Sequence, residues 1–557
     1  MKTCLWLLSC LVVMLAASEA DACGCFAPPN PTVPVVQAGE RILFAVKNGQ
    51  VTAHVQVVYS GANASEFGWL LPMPAVPTLE LGSDELFVQL TSTTQPRYQL
   101  DTTFDPGCFS ASAGTGGGTA FGNAGGGASA SGFLDAGAGP PVLVVQDSVG
   151  PYDYAVLRAD SKTDMLDWLR TNRFFVPAGT EAAVDPYIRP GGFFLALKLR
   201  AGNTTGDLQP VVLRYQSDVG SIPITLTGVG ATPNMGVQVW MLGNGRAIPR
   251  NYHHTVLNDA RIDWQGGGRN YNDVVIAAVS EAPDRHSFVT EYAGPSVVMR
   301  NVLAPPRRFG TKADLAASST PEAFIDYLFA NRYLAPTFSQ GLALPGPLKA
   351  ILLKYLPKPA TVTADTFFQS YRFFKPMAPP PDFRPQAMAD EIWERIVKPV
   401  QDAQTLFDES PVLTRLYTTI SPRDMNKDPA FSFNASLPDV SNEHRAKMHV
   451  SCNGSGLETS AQLTTEQGFV IPFSRGRVNP PDVDARSLPS SLRIEVLREE
   501  GAPEVFLDNA PIITPASAVS TPQPPPQQQP ATRGCESVGG ALGLGVLVLV
   551  RSLRRRK

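Results

Sequence analysis

QAGERILFAVKNGQVTAHVQVVYSGANASEFGWLLPMPAVPTLELG, residues 37–82, is the stretch that decides the fold. Residues 42–46 form a short apolar run, and Asn48-Gly49 tolerates the positive φ angles of a two-residue hairpin turn. Residues 51–59 then alternate: Val51, Ala53, Val55, Val57 and Tyr59 fall on one face, Thr52, His54 and Gln56 on the other, with Val58 breaking the pattern. The alternation predicts a sheet with one side on a core and the other towards water. FGWLL at 67–71 reads as the next strand, and Pro72, Pro74 and Pro77 exclude a helix after it.

The 557 residues allow more than one core, and a net charge of -4 with 17% charged residues leaves no basic footprint for nucleic acid. Abundant proline (51) and glycine (47) suit many short strands better than long helical bundles. The expected class is α+β: a predominantly antiparallel, sandwich-like or barrel-like domain over 23–336, then a mixed helical and β region over 337–511. Residues 1–22 have the charged start, apolar stretch and small-x-small end of a signal peptide, with cleavage after Ala22. Export permits disulfides among Cys23, Cys25, Cys108 and Cys452. Four cysteines allow three pairings, and their spacing leaves these open. The expected arrangement joins Cys23 or Cys25 to Cys108, and Cys452 takes the other if the last β segment packs back on the first domain. Cys23-Gly24-Cys25 is one residue short of a metal or redox Cys-x-x-Cys pair.

Ser83 is an N-cap ahead of a short helix, and 97–104 reads as a strand. The Gly/Ala/Ser-rich stretch 109–139 buries too little apolar surface to offset its ordering entropy and is expected to be a disordered insertion. An amphipathic helix is expected at 161–172, and strands at 142–145, 152–157, 193–199, 210–215, 222–226, 236–242, 274–279, 287–292 and 296–299. Helices follow at 347–355 and 386–407, the second interrupted at Pro399, and strands at 469–473 and 492–497. DWLRTNRFFVP at 167–177 and DYLFANRYLAP at 326–336 share one helix-stop phrase, through duplication or convergence.

QAGER at 37–41, WLLPMP at 69–74, YAVL at 154–157, FFLALK at 193–198, PVVLRY at 210–215 and IPI at 222–224 occur in one order, with RNY at 250–252 and TEY at 290–292 after them. In these motifs the chain resembles the bacterial family described as domain of unknown function 2330, over 23 to about 336. The resemblance implies export and sheet-rich character and carries no active site with it.

Residues 512–533, with PQPPPQQQP inside, read as an extended spacer. Residues 534–557 place Cys535 before an apolar run, 538–550, and a basic end. At 1.5 Å per residue the run covers roughly 20 Å, short of the ~30 Å hydrocarbon core. This tail resembles the C-terminal sorting signals of myxobacterial surface proteins, which implies a sorting protease and a retained, lipidated Cys535. A plain C-terminal membrane helix is the alternative, and either way the membrane is a partner through the tail.

No catalytic residue, cofactor or metal ligand emerges. His253 and His254 point to opposite faces if they lie in a strand, and His444 and His449 lack the zinc-hydrolase helix. Gly454-Ser455-Gly456 reads as a turn, and Asp482 and Asp484 as loop charges. Glu40-Arg41 and Glu291 read as local ion pairs or caps. Two functions remain: a surface-anchored, non-enzymatic envelope protein that binds or displays something outside the cell, and an envelope hydrolase whose site is gathered from scattered residues.

Overall fold

The computed structural model describes residues 36–60, 68–106, 108, 143–174, 176, 179–200, 208–333, 344–474 and 488–513. The expected signal segment 1–22, Cys23, Cys25, the stretch 109–139 expected to be an insertion, Asp482, Asp484, the expected spacer beyond Ile513 and the tail with Cys535 lie outside the described residues.

The hairpin forms as its turn residues dictate. Val36–Lys47 pairs antiparallel with Gln50–Ser60, and Asn48 (φ 53°) and Gly49 (φ 74°) take the two left-handed positions. It lies within a ten-stranded sheet ordered Glu504–Asp508, Ser491–Val496, His253–Leu257, Ser287–Pro295, Val412–Ile420, Ala231–Gly243, Val36–Lys47, Gln50–Ser60, Val211–Gln216, Thr78–Leu81. Most neighbours are antiparallel. Val36–Lys47 with Ala231–Gly243 and His253–Leu257 with Ser287–Pro295 are parallel. Strands from 337–511 therefore lie within the same sheet as strands from 23–336, and Val412–Ile420 sits between two of them.

Both faces of this sheet are covered. Ile42, Phe44, Val239 and Met241 pack in one core with Trp69, Val156, Phe194 and Leu195 from a four-stranded sheet, Gly68–Met73, Phe193–Leu199, Tyr152–Arg158 and Leu143–Val149. On the opposite face Leu43, Trp240, Leu242 and Leu413 pack with Leu86 and Phe87 of the helix Asp84–Thr94 and with helices between 312 and 409. The water-facing side expected for the second hairpin strand is thus a second interface. Thr52 and His54 are 5% and 2% exposed, and His54 is the register partner of Leu43 in the helical core. A run of alternating small polar residues cannot distinguish water from a helical layer that accepts them. The class is α+β.

Three expected strands are helical. Residues 274–279 belong to the helix Tyr271–Ser280, with Val274, Val275, Ala278 and Val279 buried along one side. A six-residue apolar run fits either period. Residues 222–226 turn into the single helical turn Ile224–Thr227, and 296–299 form a 3-10 turn. The interruption at Pro399 takes a specific form. Pro385–Ile392 and Lys398–Glu409 are joined by a π turn, Trp393–Val397. Proline removes the N–H that would bond to the carbonyl four residues back, that of Arg395. Gln209 Nε2 donates to that carbonyl instead, at 2.8 Å.

The two helix-stop phrases share one geometry. Lys162–Thr171 and Pro321–Ala330 start on Ser161 and Thr320 side-chain caps. Each ends with an Asn donating its side-chain amide to the carbonyl four residues back, Asn172 to Trp168 and Asn331 to Tyr327, both at 2.9 Å. Arg173 and Arg332 then take φ near +58° (59° and 57°).

A third sheet runs Val470–Ser474, Glu458–Thr465, Glu443–Cys452, Arg97–Phe104, the last pair parallel. It brings Cys108 beside Cys452, and these two form a disulfide with Cα atoms 5.6 Å apart. This corrects the expected pairing of Cys108 with Cys23 or Cys25. The parallel pairing of two strands some 350 residues apart in sequence had no local signal. No helix among the described residues is long and apolar enough to cross a membrane.

Candidate functional site

Strand register builds the site on the helical face of the large sheet. Arg41, Gln238 and Tyr417 are successive cross-strand partners, and Gly39 lies opposite Gly236. One step along, Trp240 faces Arg415. Two register breaks bracket this patch, one between Gln37 and Gly39 and the other between Thr290 and Tyr292. The second makes Glu291 the extra residue of a β-bulge, and a bulge re-aims its side chain relative to the ladder. The glycines leave the floor open, and Tyr98, Tyr271, Asn272, Gly267 and Gly268 form a facing wall. The result is a cleft of about 540 Å³, within the usual range for small-molecule sites.

Its floor is locked by hydrogen bonds. Glu291 accepts from Arg415 Nε on one oxygen and from Tyr271 Oη at 2.6 Å on the other. Arg415 Nη2 donates to Gln238 Oε1 at 2.9 Å, and Gln238 Nε2 donates to the Leu416 carbonyl at 2.7 Å. The Arg415 guanidinium also lies over the Trp240 ring, 5.4 Å from its centroid. Tyr417 Oη donates to Asn272 Oδ1 at 2.8 Å. Arg41 is held more loosely, by one 3.3 Å bond from Nη1 to Gln56 Oε1.

Burial sets the protonation states. It pushes Tyr98 and Tyr271 well above the usual phenol range, and Glu291 adds to both, after Asp259 for Tyr98. Tyr417 is pushed up to about 12 by burial and Glu291. All three therefore keep their hydroxyl protons at neutral pH. Burial and then the Arg415 charge lower Arg41. Glu40, which lines this cleft and a smaller apolar one behind the sheet, is raised to about 7 by burial and by Asp428.

A second buried group lies along the same strands. His254 Nδ1 is 3.2 Å from Glu495 Oε2, and its Nε2 is 3.0 Å from Thr290 Oγ1. The hydroxyl–imidazole–carboxylate order resembles that of a nucleophilic triad. Here the hydroxyl also accepts from Arg246 Nη2 at 3.1 Å, and His254, Thr290 and Glu495 are 5%, 8% and 4% exposed. The group is an interior polar network. His253 packs on Phe506, centroids 5.2 Å apart. His444 stacks on Tyr98, and His449 Nε2 meets Asp105 Oδ1 at 3.0 Å. Gly454-Ser455-Gly456 is a turn built on the Asn453 side chain, which accepts from Ser455 and Leu457 N–H groups.

The motif pieces QAGER and TEY, far apart in the chain, thus supply Arg41 and Glu291 to one cleft. The family description "uncharacterized protein conserved in bacteria (DUF2330)" matches residues 17–317. The chain belongs to this family. The match contains the Arg41 and Glu291 strands and the helix Asp84–Thr94, and ends before most of the helices between 312 and 409 and before Arg415 and Tyr417. No curated protein and no solved structure matches the chain.

In the sequence Arg41 and Glu291 read as members of local ion pairs or caps, and Arg415, Tyr417, Tyr98 and Tyr271 are not singled out. Arg415 did carry a signal: a lone charge inside VLTRLYTTI, where an apolar strand would otherwise continue.

Proposed function

We propose that this family member is an exported, envelope-anchored binding protein, with the Arg41–Tyr417 cleft as its ligand site. The observation that carries the reading is the cleft itself: a hollow of small-molecule size on the large sheet, with a floor held in shape by the paired Glu291 and Arg415. Glu291 spends both oxygens on Arg415 and Tyr271, so it holds the floor in shape. The leader-like residues 1–22, the spacer and the Cys535 tail support display outside the cytoplasm, through a sorting protease and lipidation.

The test has two parts. The intact mass of protein extracted from cell envelopes, compared with a Cys535→Ala variant, reports cleavage after Ala22 and lipid at Cys535. A chain that still begins at Met1 and ends at Lys557 without added mass overturns the export and sorting reading. A fragment-library screen by protein-observed NMR is expected to map hits to Tyr98, Asn272 and Tyr417; hits only elsewhere overturn the cleft.

A hydrolase is the second reading, favoured by Glu40. A carboxyl poised at about 7 suits a general acid or base. Turnover of an envelope-derived substrate that is lost in Glu40→Gln would establish it.

A further inference from the structure

The charge arrangement within the cleft narrows its ligand to a chemical class. Arg415 is matched by Glu291, and its other donors go to Gln238 and to the Thr91 carbonyl. Arg41 differs. No carboxylate among the described residues lies within ion-pair distance of it, and a single 3.3 Å bond to Gln56 engages it. It is half-buried beside a second cation, so burial and Arg415 both oppose its charge, and only the more distant Asp84 favours it. A guanidinium held this way is incompletely compensated, and its remaining N–H donors form a planar fork suited to an oxyanion.

We propose that the cleft binds a small monocarboxylate with a hydroxylated body, such as a sugar acid or another hydroxy acid, and that Arg41 receives the carboxylate. The proposal rests on the cleft being the binding site.

The lining fits each part of such a molecule. The phenol of Tyr98 keeps its proton and has no protein acceptor among the described residues, so it is a free donor. Asn272 accepts from Tyr417 through Oδ1, which leaves its amide N–H groups available at an exposed position. Gln95, at the end of the helix Asp84–Thr94, adds a side-chain amide. Hydroxyls answer such donors and acceptors at little desolvation cost. A single negative charge fits better than two: one cation is unmatched, while Glu291 stands in the same cleft with its charge already met by Arg415. A dianionic phosphate would place its second charge against the Glu291 carboxylate with no further cation to meet it.

Titration calorimetry on the mature protein, with D-glucuronate and its neutral analogue D-glucuronamide, tests this. The wild type is expected to prefer glucuronate by about 10- to 100-fold, the range of a charge-assisted hydrogen-bond pair. Arg41→Gln should remove that preference with an unchanged melting profile. Asn272→Trp, a substitution at an exposed helix position that fills the mouth, should abolish binding of both probes. Equal binding of the two probes by the wild type, or a preference that survives Arg41→Gln, overturns the anion proposal; if Asn272→Trp still abolishes binding, the cleft reading stands. Binding that survives Asn272→Trp overturns both. Inorganic phosphate that binds more tightly than glucuronate, or no heat from either sugar at millimolar concentration, also overturns the proposal.

Discussion

Glu291 and Arg415, 124 positions apart, form an ion pair across adjacent strands with side-chain exposures of only 1% and 8%. The β-bulge at Glu291 aims its carboxylate at Arg415, and Tyr271, Gln238 and Trp240 complete the enclosure. Removing one member leaves an uncompensated buried charge. Glu291→Gln is expected to cost about 3–5 kcal/mol in urea unfolding. The double variant Glu291→Leu/Arg415→Met should recover much of that loss. A single-variant cost below about 1 kcal/mol would mean that the pair is solvated in solution.

Protonation of Glu40 couples to stability. Its folded carboxyl is raised from 4.5 to about 7 by burial and Asp428, so the folded state holds a proton that the unfolded chain releases. The resulting stability is complete below pH 4.5 and is lost as pH rises through 7. Glu40→Gln should therefore unfold less readily than wild type at pH 8 relative to pH 4.5, by on the order of 3 kcal/mol. Denaturant midpoints at the two pH values read the difference, and parallel profiles for both proteins would contradict it.

His54 acts at the acid end. Both ring nitrogens are buried and have no hydrogen-bond partner among the described residues, and burial followed by the Arg214 charge lowers the imidazole from 6.5 to about 3. The folded state keeps it neutral while the unfolded chain protonates. Stability is lost as pH falls from 6.5 towards 3, at up to about 1.4 kcal/mol per pH unit from this group. His54→Leu should flatten that limb of a thermal-melt series, and an unchanged limb would assign acid sensitivity to other groups.

The Cys108–Cys452 bridge closes a loop with a sequence separation of 344. Loop closure of that size in the unfolded chain makes the bridge worth about 2–5 kcal/mol. Cys108→Ser/Cys452→Ser is expected to lower the urea midpoint accordingly, with the loss greatest for probes in the Glu443–Cys452 and Arg97–Phe104 strands. A midpoint indifferent to the substitution and to dithiothreitol would show that the thiols are not joined.

Gly268 holds φ at +80°, and a Cβ there would stand 2.4 Å from Tyr98 Cδ2. Gly268→Ala should cost more than about 1 kcal/mol through strain and displacement of that ring. Binding at the cleft should weaken with it, because Tyr98 forms its wall. Wild-type melting and binding in this variant would mean that the wall is pliable.

Local chemistry made part of this legible. Asn48-Gly49 specified the hairpin, Ser83 capped the helix it precedes, and the Asn-Arg phrases stopped two others. Elsewhere the local signal was ambiguous. Residues 274–279 fit a strand as well as a helix until packing chose, and Pro399 displaced its effect onto the preceding turn. The family motifs were visible as separate phrases, but nothing within them said that Arg41 and Glu291 share a cleft.

The sequence by itself determined the hairpin, the Ser83 cap and the α+β class, because each is written in turn, capping and periodicity signals among residues close to one another in the chain. Only the tertiary structure decided that Val412–Ile420 enters the sheet beside Ala231–Gly243, that Cys108 meets Cys452, and that Thr52 and His54 face helices. Those outcomes depend on strand pairings across tens to hundreds of residues, where the side chains that select a partner leave no periodic trace in either segment alone.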